Sequence, residues 1–187
     1  MPTPSRNYQN ILLDAVFHER ENRLREAFQK SLEKKERREQ LTAISGIRDE
    51  AVLDRMIELG ITPETLAAME LVPLVFVAWA DGRVQAEERD VIVALAKSAG
   101  IEPQDGRYPV LEHWLTKRPG AEMLAAWKDY IRELRGRMDA GEVERLRHEL
   151  LDRASQVAQA AGGFMGLGSK VSPTERSVLA ELEKAFA

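Results

Sequence analysis

The 187-residue chain contains no cysteine. That excludes a disulfide framework, a thiolate nucleophile, a Cys-based zinc site and an iron–sulfur cluster. Aromatic residues are scarce at 6%, and the three tryptophans, Trp79, Trp114 and Trp127, fall on apolar helical stripes as core residues do. No long apolar run exists. The longest, Leu71 to Ala80, is ten residues with Pro73 inside it, against about 20 for a membrane-spanning helix. Charge of one sign is lacking too, with 27 Lys plus Arg against 31 Asp plus Glu, a net charge of −4. This balance argues against broad electrostatic binding of DNA or RNA. The opening Met1-Pro2-Thr3-Pro4-Ser5-Arg6 has no apolar core of a signal peptide. The expectation is a cytoplasmic protein that touches a membrane at most peripherally.

What is abundant is helix-forming. Ala, Leu, Glu, Arg and Lys occupy 93 of 187 positions, which points to an all-α protein. Residues 8–44 read as one long helix with a narrow apolar stripe of Leu13, Phe17, Leu24, Phe28 and Leu32. Beyond Leu32 the run Glu33 to Gln40 has no apolar residue, as in a solvated helix held by opposite charges. Either the stripe lies on the protein's own body, or the helix is offered to a protein partner or a second copy. Ser45-Gly46 breaks it, and a connector over 45–65 carries a short helix from Arg48 to Leu59, stopped by Gly60. Thr62-Pro63-Glu64 predicts a restart with Thr62 as N-cap.

A bundle is expected over 66–187. Pro73 predicts a break, and Asp81 to Val84 a turn before a helix from Ala86 to Ala99. Leu124, Trp127, Ile131, Leu134 and Met138 recur at alternating spacings of three and four. That seam predicts an antiparallel hairpin with the following helix, lined by Val143, Leu146, Leu150, Ala154, Val157 and Ala161. A last helix should run from Pro173 to Phe186.

An internal repeat is the most informative pattern. A shift of 87 lays Val84 on Val171, Glu88 on Glu175, Arg89 on Arg176, Val91 on Val178, Leu95 on Leu182 and Lys97 on Lys184. Ser172-Pro173-Thr174-Glu175 is a capping box with Pro at the first helical position. The first copy reads Gln85-Ala86-Glu87-Glu88, so its cap should come from elsewhere, such as the Asp81 side chain. The expected architecture is a helical bundle with a pseudo-twofold repeat of capped helices, plus the long charged N-terminal helix.

Ala80-Asp81-Gly82-Arg83-Val84 through Glu88-Arg89, and Ser169-Lys170-Val171 through Glu175-Arg176, resemble the two motifs of the TerB-like helical family, named from tellurite resistance. The resemblance covers about 66–187. Gly166-Leu167-Gly168-Ser169 stands where the family usually has a second Ala-Asp-Gly. The resemblance implies a bacterial stress-response context, tellurite or metal related, and an acidic surface cluster that binds a cation. The candidate metal ligands here are Asp81, Glu87 and Glu88, beside Asp90, as oxygens for a weakly bound Ca²⁺, Mg²⁺ or Mn²⁺. The competing reading is electrostatic, since carboxylates at a helix start are favoured by the helix dipole.

The glycine-rich stretch Gly163 to Lys170 has Ser before Lys and no preceding strand, so it is not a nucleotide-binding loop. His18, His113 and His148 share no ligand spacing, and no nucleophile, base and oxyanion donors assemble. No catalytic or cofactor-binding residue is assigned. The leading expectation is a non-catalytic binding or scaffold module. The alternatives are an interaction or regulatory protein acting through its N-terminal helix, and a metal-dependent enzyme using the acidic cluster.

Overall fold

A computed structural model describes residues 5–160 and 171–187, and contains eight α-helices and no strand among them. Helix α1 spans Ser5–Ser45, 41 residues, or about 60 Å at 1.5 Å per residue. Gly46, at φ 73°, ends it in the left-handed region that glycine enters without a Cβ clash. Helix α2, Glu50–Glu58, starts where the Asp49 carboxylate accepts from the N–H groups of Ala51 and Val52 at 2.8 and 3.1 Å.

The predicted restart at Pro63 is displaced. Thr62 and Thr65 instead bond each other, the Thr62 N–H donating to Thr65 Oγ1 at 2.9 Å. Helical structure resumes as a 3₁₀ segment, Leu66–Leu71. A threonine hydroxyl that closes its own turn is not available to cap a helix. At Pro73 a new, buried helix begins, as the proline predicts. The 3₁₀ segment passes straight into α3, Val72–Ala78, with Pro73 in the first turn, where no N–H is needed.

All seven residues of α3 are buried, which makes it the axis of the bundle. Around it stand α4 (Ala86–Ser98), α5 (Tyr108–Thr116), α6 (Ala121–Arg135), α7 (Ala140–Ala160) and α8 (Pro173–Glu183), closed by a 3₁₀ turn, Lys184–Phe186. The hairpin expected of α6 and α7 is not the main packing unit. Helix α6 packs chiefly on α2, α3 and the terminal turn, and α7 on α3, α4 and α8. A stripe of apolar residues states which face is buried but not against what, and the intervening α3 takes both faces. Trp127 of α6 meets Phe186 edge-on, with ring centroids 6.3 Å apart.

One continuous core runs from Leu41 to Phe186. It includes Leu41 at the end of α1, and Ile47, Leu53, Met56 and Ile61 of the connector, all at most 4% exposed. The connector's apolar face and the last turn of α1 therefore share their core with the bundle. The capped helices α4 and α8 enter the same core through Ile92, Ala96 and Leu182. Both pack on α3 and α7, the equivalent places that the repeat predicts.

Candidate functional site

Two places on this frame have chemistry or exposure to offer: the paired helix starts of α4 and α8, and the outer face of α1.

At the start of α8, Ser172 and Glu175 complete a capping box. Glu175 N–H donates to Ser172 Oγ at 3.2 Å, and Ser172 N–H donates to the Glu175 carboxylate at 2.5 Å. At the start of α4 the repeat-related Glu88 carboxylate accepts from the Gln85 N–H at 2.7 Å. Asp81 does not cap this helix as expected. Its carboxylate reaches across to the second copy, accepting from Ser172 Oγ at 3.1 Å and from Thr174 Oγ1. The turn that aims it depends on Gly82, at φ 86°, whose N–H closes on the Trp79 carbonyl at 3.0 Å. The two repeat motifs are thus joined hydroxyl to carboxylate.

Glu88 and Glu175 are the buried charged residues of the described chain, 2% and 4% exposed. Burial pushes the Glu88 carboxyl up to about 7, the Gln85 hydrogen bond opposing and the nearby Glu175, Asp81 and Glu87 carboxylates adding to the rise. Of the three predicted metal ligands, Glu88 is turned inward to its cap, Glu87 is exposed, and Asp81 is engaged by two hydroxyls. Among the described residues, no group of three or more His, Asp or Glu side chains converges to hold a metal ion. Divalent cations at millimolar concentration are therefore expected to leave the amides of residues 80–90 unshifted in NMR titrations. Asp81→Ala should instead cost stability, by about 1 kcal/mol for loss of its hydroxyl partners. Cation-induced shifts that vanish in Asp81→Ala would support the metal reading. Ser172 and Thr174 were missed as partners of Asp81. The 87-residue offset matched the two glutamates, but it gave no sign that the copies touch.

Helix α1 is held to the body at one end. Lys34 bonds Asp54 at 2.8 Å, and Arg38 bonds Asp54 and, at 2.8 Å, Glu50. The Arg38 guanidinium holds the Asp54 carboxyl down at about 2, with Lys34 assisting. Leu41 is fully buried one turn on. The apolar stripe faces elsewhere: Leu24, Phe28 and Leu32 are 63%, 64% and 46% exposed. At about 100° per residue, Leu32 points roughly opposite the face of Lys34, Arg38 and Leu41, and Phe28 roughly a third of a turn away from it. Of the two readings of the arm, the stripe on the protein's own body does not hold for these three residues.

The loop Gly163–Lys170, including Ser169 and Lys170 of the second motif, lies outside the described residues. No described helix is long and apolar enough to cross a membrane. No protein-family model, curated protein or solved structure matches the chain.

Proposed function

We propose that the chain is a non-catalytic, TerB-like binding or scaffold module whose bundle holds out α1 for a protein partner. A cytoplasmic setting and a stress or tellurite response belong to the same proposal, on the strength of the two motif resemblances. The observation that carries the interaction reading is the exposure of Leu24, Phe28 and Leu32 on a helix projecting beyond its anchor. A long solvated helix with three large apolar side chains in solvent is not stabilised by them, because burial is what makes such residues favourable. Contiguous exposed apolar surface of this kind marks an interaction site. The ion pairs of Lys34 and Arg38 with α2 set the direction in which the helix leaves the bundle.

The test places a photo-reactive aromatic residue at position 28 of the full chain, with position 94 on the exposed side of α4 as control. Irradiation in the producing cell should give a discrete covalent adduct from position 28 and none from 94. No adduct from position 28 would overturn the proposal.

A further inference from the structure

We infer that the partner for the exposed face of α1 is α1 of a second copy of this chain, laid antiparallel about a twofold axis at Phe28. The inference rests on the interaction reading above and names the occupant.

Three observations lead to it. The first is charge order. Folding the sequence back on Phe28 sets Glu19 against Arg37, Arg20 against Glu36, Glu21 against Lys35, Arg23 against Glu33 and Glu26 against Lys30. Every pair of two charged residues between positions 19 and 37 is opposite in sign, and none is alike. A parallel, in-register pair would instead set each charge beside its own copy. Antiparallel pairing about this centre is thus favoured, and parallel pairing opposed, by the same residues.

The second observation is apolar register. The same fold-back sets Leu24 against Leu32 and Phe28 against itself, so these three exposed apolar residues meet in one contact, while exposed Ile44 lies outside it. A contact in which a patch meets its own copy is the isologous interface of a twofold dimer.

The third observation is room for the rest of the arm. A groove between α1 and the connector is lined by Lys35, Arg38, Thr42, Arg48, Glu50 and Leu53 among others. Lys35 and Thr42 follow Leu24 by eleven and eighteen residues, about three and five whole helical turns. The groove therefore continues the face that carries the stripe. In the Phe28-centred register, sequence positions 19–21 of the second copy fall opposite positions 35–37, at the start of the groove. The body docks on α1 through Lys34, Arg38 and Leu41, with the Arg38–Glu50 ion pair at the groove's edge.

The absence of native cysteine makes the test clean, since each introduced thiol is the chain's sole one. Purified full-length protein should sediment at twice its 21.1 kDa mass, and Phe28→Glu should return it to monomer with the melting temperature of the bundle unchanged. Under mild oxidation, Phe28→Cys should cross-link to itself. Leu24→Cys mixed with Leu32→Cys should form the mixed disulfide, while Leu24→Cys alone should not. In the antiparallel pair, two copies of residue 24 are about 12 Å apart along the axis, beyond the roughly 7 Å Cα limit of a disulfide. Self-cross-linking of Leu24→Cys would mean a parallel pair and overturn the inference. So would a chain that stays monomeric up to about 1 mM. A monomer that still gives the position-28 adduct with a different protein would remove the self-pairing and leave the interaction reading standing. Loss of the adduct as well would remove both.

Discussion

Trp127→Ala is expected to destabilise the protein by about 3–5 kcal/mol, through lost burial and the cavity left behind. For a chain of this size that is a fall of roughly 10 °C or more in melting temperature. Trp127 is 1% exposed on α6 and meets Phe186 of the terminal turn edge-on. It therefore joins α6 to the segment that closes the bundle after α8. Neighbouring polar contacts do not replace it. Arg135 of α6 donates to the Ala187 carbonyl at 2.6 Å, but from an exposed position, where such bonds contribute little. Trp127→Phe should recover part of the loss by keeping a ring against Phe186. Thermal melts followed by circular dichroism decide it. A change below about 1 kcal/mol in the alanine variant would mean that the terminal turn does not depend on this contact.

The second expected result is a loss of stability as pH rises from about 5 to 8, removed by Glu88→Gln. The sign follows from where the proton is held. The Glu88 carboxyl titrates at about 7 in the folded chain against an ordinary 4.5. Between those values the folded state binds more proton than the unfolded state, so stability falls with increasing pH. The contribution is complete below about 4.5 and gone above about 7, amounting to at most roughly 3 kcal/mol. Gln at this position still accepts the Gln85 N–H and completes the capping box without charge. Glu88→Gln should thus melt higher than the parent at pH 8, and the two should converge near pH 5. Asp54 and Asp105, both held down at about 2 by arginine partners, act in the opposite sense. Their contribution is present above the ordinary carboxylate range and is lost as pH falls through it. The most stable region should lie between these two limbs. A parent protein whose melting temperature is flat from pH 5 to 8 would show that Glu88 is not held protonated.

Both results bear on function through the same geometry. The caps of α4 and α8 lock the two repeat motifs together, and the core beneath them seats Leu41, the anchor of α1.

The sequence by itself determined the helical class, from composition and the spacing of apolar residues. It also determined the stops at Gly46 and Gly60, both at positive φ, and the equivalence of the two capped helices. These are local properties, carried by propensity, periodicity and capping chemistry within a few residues of each position. The self-complementary charge order of residues 19–37 is likewise written in the chain. Only the tertiary structure decided which faces meet. The α6 stripe was legible, but its partners α2, α3 and the terminal turn were not, because an apolar stripe is satisfied by any apolar surface. Asp81 read as a turn residue that could cap α4 or hold a cation, and only the packing of α8 brought Ser172 and Thr174 to it from more than ninety residues away. The stripe on α1 was equally ambiguous until Lys34, Arg38 and Leu41 were seen to take the body side. Once those three are docked, the fixed 100° step of the helix leaves Leu24, Phe28 and Leu32 facing solvent.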